Sequence, residues 1–266
     1  QALARLVVLA AGARQTPGIL KRSRLRHRMI GRGLHTHPNA KVIGIFDEVI
    51  EPWRGAHQAH QVHEFLDEGI LIGYAAVPPG LLAAAVPGLG YAHGRRMELY
   101  NHMLTAACLI EDTGEGTVGL GPDCQPWMRF VLSDQDVERI HRGVRLVSQL
   151  MFAAGARRVL LPFRSLPELA GPGELDRIDA RGRRKSDMEL MTVHIMSSCR
   201  MSSDAARGAC DAWGRVHDIA GLVVADASAI PSPVGVNPME TIVALALRNA
   251  DRWIEDLRRE GRARTA

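Results

Sequence analysis

The run from Leu222 to Ile254 most constrains what this chain can fold into, because it spells a buried strand, a tight loop and a marked helix start in succession. Leu222-Val223-Val224 is the kind of short apolar run that fills a parallel strand covered on both faces, and Asp226 stands where that strand should stop. Polar groups at the ends of strands are where open α/β sheets bind ligands. After Pro231, Pro233 and Gly235, Asn237 is a preferred N-cap, Pro238 suits the first helical position, and Glu240 completes a capping-box-like spacing. A helix is therefore predicted to begin at Asn237, with Ile242, Val243, Leu245, Ala246, Ala250, Trp253 and Ile254 as its core-facing stripe. Its free N–H groups, equivalent to roughly half a positive charge, could hold an anion; a capped structural helix is the plain alternative.

At 266 residues the chain exceeds a typical domain of about 100–150 residues, so one large core or two smaller ones are feasible. Hydrophobic residues at 46% and charged residues at 23% are ordinary globular usage and argue against disorder. No apolar run is long enough to span a bilayer, which leaves cytoplasmic placement or a peripheral membrane contact as the favoured expectations. Lys21, Lys41 and Lys185 are the only lysines among 33 basic residues, so thirty are arginine. The basic run Lys21 to Arg28 lacks interleaved aromatics and Arg258 to Arg264 reads as a solvated tail, so no nucleic-acid partner is expected. Cys108, Cys124, Cys199 and Cys210 form neither a CxxC pair nor a disulfide scaffold. The chain starts at Gln1 with strand-like Leu6 to Leu9 close behind, which suggests that it begins mid-protein.

Leu6 to Leu9 followed by Ala10-Ala11-Gly12-Ala13 reads as a buried strand and a turn of small residues, with Thr16-Pro17 starting a helix. Lys41 to Phe46 returns to strand character. Ser133 and Asp136 mark the start of a helix whose apolar face is Val137, Ile140, Val144, Val147 and Met151, ended by Gly155. Met128 to Leu132 before it and Arg158 to Leu161 after it look like strands of a separate sheet. The order of elements fits a nucleotide-binding α/β sheet that residues 1–38 open, that the chain leaves for an inserted α+β domain over 39–185, and to which it returns over 186–266.

His194, set in Val193-His194-Ile195-Met196-Ser197-Ser198-Cys199-Arg200-Met201, is the best base candidate: an imidazole with an ordinary pKa near 6.5 can take a proton near neutrality. Asn237 could add a second hydrogen-bonding group. A satisfied core histidine is the competing reading. The stretches His194 to Met201, Asp211 to Val216, Gly221 to Ser228 and Pro231 to Asn249, together with Val8 to Ala13, Thr16-Pro17, Gly31 to Leu34 and His37-Pro38, resemble the glucose-methanol-choline (GMC) oxidoreductases. Val234 to Pro238, Gly116 to Leu120 and Phe130 to Asp134 place the likeness nearest the long-chain fatty alcohol oxidase and dehydrogenase group, with cholesterol-oxidase-like neighbours.

What the resemblance implies is an incomplete α/β flavin-binding, Rossmann-like domain with an inserted α+β substrate domain built on an antiparallel sheet. The implied activity is that of an FAD enzyme that oxidises an apolar alcohol, long-chain or sterol-like, to an aldehyde or ketone, and passes electrons to an acceptor of unspecified identity. His194 matches the family histidine that takes or orients the hydroxyl proton, and Asn237 its partner position. Asp226, Ala227 and Ser228 match the loop along the cofactor's ribityl and phosphate region. Ala11 and Gly12 match backbone packed near it, and Asn237, Pro238 and Met239 form the helix start facing the flavin. Ser197 and Ser202 stand where the family usually has glycine. The family's Gly-rich dinucleotide fingerprint is missing, so an N-terminal FAD-binding segment is the expected partner and the chain alone is expected to bind flavin poorly and to be inactive. A non-catalytic partner or degenerate subunit of a GMC-type flavoprotein is the alternative. A metal site from His35, His37, His57, His60 and His63 is not expected, since their spacing presents no common face. In the insert, Phe65, Leu66, Ile70, Leu71, Ile72, Tyr74 and the Leu81 to Val86 run could line an apolar cavity.

Overall fold

The computed structural model describes residues 3–56 and 58–263; Gln1, His57 and Arg264 lie outside the described residues. In chain order its first elements are β1 (Val7–Leu9), α1 (Gly12–Arg22), β2 (Arg32–Leu34), β3 (Asn39–Ile45), β4 (Gln61–Val62) and β5 (Ile70–Ala75). Then come α2 (Pro79–Ala83), α3 (Gly90–Met97), β6 (Met103–Ile110), β7 (Gly116–Leu120), β8 (Pro126–Arg129) and α4 (Asp134–Ala153). The chain closes with β9 (Arg158–Leu160), β10 (Glu168–Leu169), α5 (Asp176–Ala180), β11 (Leu222–Val224) and α6 (Met239–Ala263). No helix among the described residues is long and apolar enough to cross a membrane.

These elements sort into two compact units. Unit 1 comprises Gln1–Thr36, Gly114–Val131 and Val193–Ala266; unit 2 comprises His37–Thr113 and Leu132–Thr192. The division differs from the 39–185 expectation, because β7 and β8 join β2 in a three-stranded antiparallel sheet. Met128 to Leu132, expected beside Arg158 to Leu161 in one sheet, is thereby split: Met128 and Arg129 lie in β8 of unit 1, and β9 belongs to unit 2.

In unit 2 the sheet order is β10-β9-β3-β6-β5-β4, antiparallel throughout. α4 starts where the sequence placed it: Asp136 N–H donates to the Ser133 hydroxyl (3.0 Å), and Ser133 N–H donates to the Asp136 carboxylate (2.8 Å). Its Val137, Ile140, Val144, Val147 and Met151 are buried against Ala40, Val42, Ile70, Ile72 and Cys108 of the sheet. Each such side chain contributes about 1.5–3 kcal/mol, gross, on burial. A β-carbon at Gly143 would lie 2.7 Å from Cys108 Sγ, so the helix reaches its contact distance only with glycine there. Ile70 and Ile72 are buried in this core, and Ile72 with Tyr74 also lines an apolar cavity beside Leu104, Ala106 and Leu150, as part of the expected set.

In unit 1, α1 packs on the three-stranded sheet, with Arg14 Nε donating to Pro126 O (3.1 Å). α6 buries Asn249 and Trp253, and the Trp253 indole donates to Trp213 O (2.8 Å). Its stripe differs from expectation, since Val243 and Ile254 are exposed, along with Met239 and Leu247. The apolar period therefore reports more faces of this helix than the chain covers.

Candidate functional site

β1 and β11 run parallel in the register Val7–Leu222, Val8–Val223 and Leu9–Val224, so both end at the same edge. Ala225 N–H donates to Leu9 O (2.8 Å) and closes the pair. β1 is more open than a buried strand, with Val7 46% and Val8 49% exposed. The chain then turns through exposed Ala10 and Ala11, and α1 begins at Gly12, four residues before the expected Thr16. Gly12 has φ +83°, a left-handed conformation that favours glycine. A β-carbon there would meet nothing within 4 Å, so the backbone can be approached closely. No acidic residue occupies the first turn of α1, while Lys21 and Arg22 occupy its last; the negative charge at its N-terminus comes from a distant residue, Asp226.

Asp226 is a brace at this edge. One carboxylate oxygen accepts from Gly12 N–H (2.9 Å) and the Thr16 hydroxyl (2.5 Å); the other accepts from Ser228 N–H (2.8 Å) and the Ser228 hydroxyl (2.5 Å). Thr16 also accepts from Ala11 N–H (3.2 Å), so a residue taken from sequence as a helix start instead ties the turn to the brace. A hydroxyl four residues after Gly12 was the available signal.

The segment after His194 is strapped to this loop. Ser197 N–H donates to Ala227 O (3.0 Å), Cys199 N–H to Ser228 O (2.8 Å) and Met201 N–H to Ala229 O (2.9 Å). Ser197 is held at φ +69° with its hydroxyl buried and unpartnered, so the serine sits in a conformation that suits the glycine usual there. Ser198, fully buried, donates to Ala13 O (2.6 Å). That bond has a local cause: Pro17 lies inside α1 and has no N–H to give Ala13, its i−4 carbonyl. Ser198→Ala is expected to orphan this carbonyl and cost about 1–3 kcal/mol in denaturant unfolding. In a Pro17→Ala background, where an N–H is restored, the cost should shrink. Equal costs in both backgrounds would contradict this account.

His194 is half-buried, and burial pushes its pKa below the ordinary 6.5. The segment just beyond it is fixed by reciprocal bonds, His35 N–H to Met196 O (3.0 Å) and Met196 N–H to His35 O (2.9 Å). Asn237 is exposed, Pro238 is buried and Met239 is 71% exposed. α6 starts slightly later than the expected Asn237, since Ile242 N–H donates to Pro238 O (2.9 Å) and the helix proper begins at Met239. Among the described residues, no group of three or more His, Cys, Asp or Glu side chains is arranged to hold a metal ion.

A GMC oxidoreductase family model matches residues 113–246 with its C-terminal domain, and another matches residues 1–39 with its N-terminal domain. The chain belongs to the GMC oxidoreductase family. This GMC chain is 34% identical to an uncharacterized GMC-type oxidoreductase of Mycobacterium tuberculosis over 95% of its length, covering 40% of that protein. It is 28% identical to a long-chain-alcohol oxidase of Arabidopsis thaliana over 95% of its length, covering 36% of that enzyme. The chain thus spans well under half the length of these two relatives. Among solved structures, pyridoxine 4-oxidase from Mesorbium loti superposes with a TM-score of 0.68 at 22% identity, covering 94% of this chain and 51% of that one. Formate oxidase gives 0.62 at 17% identity, covering 93% and 54%. The fold is that of GMC flavoenzymes, and the family's cofactor is FAD. The edge described above leaves room for that group: open space where a β-carbon of Gly12 would stand and small exposed neighbours let a cofactor come close to the backbone, while the Asp226 carboxylate already takes Gly12 N–H.

Proposed function

We propose that this chain forms the catalytic part of an FAD-dependent enzyme that oxidises the CH–OH group of an apolar alcohol, long-chain or sterol-like, to an aldehyde or ketone. The observation that carries the reading is the strap, which bonds the His194 segment to the Ala227–Ala229 loop beside the paired ends of β1 and β11. The long-chain-alcohol oxidase relatives support the substrate class. Unit 1 would hold the cofactor through Ala11, Gly12, Ala227, Ser228, Asn237, Pro238 and Met239. Asp226 would contribute through its backbone, because its carboxylate is already filled by four donors. Unit 2 would hold the substrate.

When bound, FAD supplies the oxidant that takes hydride from the carbinol carbon. His194, kept neutral by burial, accepts the hydroxyl proton, and Asn237 offers a hydrogen bond that orients the same hydroxyl. The GxGxxG spacing of Gly114, Gly116 and Gly119 runs into β7 and on to β8 rather than from a strand into a helix, so it is no dinucleotide fingerprint, and among the described residues β1 pairs with β11 alone. FAD retention therefore calls for a further segment that bears the fingerprint and pairs with that open edge.

The test joins this chain to an N-terminal half of a GMC relative, loads FAD, and follows flavin absorbance without oxygen while 1-decanol or a sterol is added. Bleaching by the alcohols is expected. Retained flavin that no alcohol bleaches would refute the reading.

A further inference from the structure

No acidic residue precedes Asp47, while Lys21, Arg22, Arg24, Arg26, Arg28 and Arg32 crowd into one short stretch. Among the described residues none of these six is in an ion pair, whereas arginines elsewhere mostly are, Arg96 with Glu168 and Arg145 with Asp176 and Asp179 among them. Arg22 and Arg28 donate to the carbonyls of Cys124 (3.1 Å) and Ala206 (2.6 Å), which fixes their position without neutralising them. Arg24, Arg26 and Arg32 are exposed. Burial lowers the Lys21 pKa and the charge of Arg32 lowers it further, so like charges press on one another here. Such self-repulsion is relieved only by charge from outside the stretch.

The same charge continues onto the three-stranded sheet. A β-carbon at Gly18 of α1 would lie 3.0 Å from Pro126 Cγ, so Pro126 faces the helix, and strand alternation turns Trp127 and Arg129 of β8 to the other side. On that side Arg32, Thr117 and Arg129 stand in one row across β2, β7 and β8, all exposed. Trp127 stands in the next row, 47% exposed, with its indole across Gly119, where a β-carbon would meet it at 2.8 Å. Arg22 reaches the β7–β8 turn at Cys124, and Val118 N–H donates to Gly31 O (2.7 Å), so the basic loop borders this sheet at its turn end. Of the two acids between Gly114 and Val131, Glu115 is paired with Arg200 (2.9 Å), which leaves Asp123 to oppose the six cations and Arg129.

We propose that this surface seats unit 1 on a membrane leaflet of anionic headgroups, with the cations against the headgroup charges and Trp127 at the water interface. An exposed indole set among basic side chains is the arrangement of an interfacial anchor, and the guanidinium fork matches phosphate oxygens. A single-stranded nucleic acid asks instead for several aromatic platforms along a basic groove. Here Trp127 stands by itself, and residues 1–36 contain no Phe, Tyr or Trp.

Co-sedimentation of the full chain with lipid vesicles tests this. Phosphatidylcholine vesicles with about one-third phosphatidylserine should bind the chain, pure phosphatidylcholine should not, and salt at about 0.5 M should release it. Each cation near an anionic leaflet is worth about fivefold in affinity, so Arg24→Gln combined with Arg26→Gln should weaken binding about 25-fold. Both side chains are exposed and make no bond among the described residues, so the fold is not at stake. Removing the same net charge from exposed ion pairs, by Arg157→Gln with Arg164→Gln, should change binding less than about twofold. Brominated lipid chains should quench tryptophan fluorescence in the parent chain and not in Trp127→Phe. The proposal is overturned by a parent chain that ignores the charged vesicles, by equal losses in the two double variants, or by an absence of quenching. A DNA duplex bound as tightly as the vesicles would overturn it too, as would vesicle binding that disappears once the N-terminal half of a GMC relative is joined. No flavin or alcohol enters these measurements, so their failure and a failure of the bleaching test are separate results.

Discussion

Asp226→Ala is expected to destabilise unit 1 by about 3–5 kcal/mol. The carboxylate joins the start of α1 to the end of β11 by accepting from Gly12, Thr16 and, twice, Ser228. Hydrogen bonds to a charged acceptor are each worth about 1.5–3 kcal/mol, and the total falls short of their sum because Asp226 is only half-buried and water can reach some of the freed donors. Asp226→Asn keeps the shape but turns an amide NH2 toward two donors, so it should recover only part of the loss. Tryptophan fluorescence in a denaturant titration reads the effect where it occurs, since Trp127, Trp213 and Trp253 lie in unit 1 and Trp53 in unit 2. A midpoint equal to the parent's would mean that the four donors are satisfied without the carboxylate.

His194→Ala, in the flavin-loaded enzyme, should slow flavin reduction by alcohol about 10²–10⁴-fold with flavin content unchanged. The pH profile carries an independent sign. The neutral imidazole is the working form, and burial lowers its pKa from 6.5. The rate should therefore fall on the acid side, as pH drops through that lowered value, and the inflection should lie below 6.5 and vanish in the variant. An unchanged reduction rate in His194→Ala would remove the base from the reaction.

Local signals were legible in the sequence where the chain makes its own contacts. The Ser133–Asp136 capping box fixed the start of α4, and the Leu222 to Val224 run marked β11 to the residue. The start of α1 was not legible, because Pro17 has the chemistry of a first-turn residue and only the distant Ser198 hydroxyl makes it tolerable inside the helix. The brace was half legible: Asp226 stood out at a strand end and its two bonds from Ser228 are local, but the two from Gly12 and Thr16 depend on a pairing between segments over two hundred residues apart. The placement of Gly114–Val131 in unit 1 was hidden for the same reason, since β7 reveals nothing about β2 until both are paired. His194 and Asn237 stood out from the residues themselves, with family likeness deciding against the core-histidine alternative; their proton chemistry rests on the experiment above.

The chain passes between the two units at Thr36, Thr113, Val131 and Thr192, and this interleaving has a consequence for biosynthesis. Everything unit 2 needs has been made once Thr192 is added, whereas Val7 must wait for Leu222, 215 positions later (222 minus 7). At about 5–20 residues per second on the ribosome, β1 emerges roughly ten to forty seconds before its partner does. During that interval Val7-Val8-Leu9 is an apolar strand without its β11 partner. The strand that opens unit 1 is thus made long before the one that pairs with it, and must be shielded for that interval.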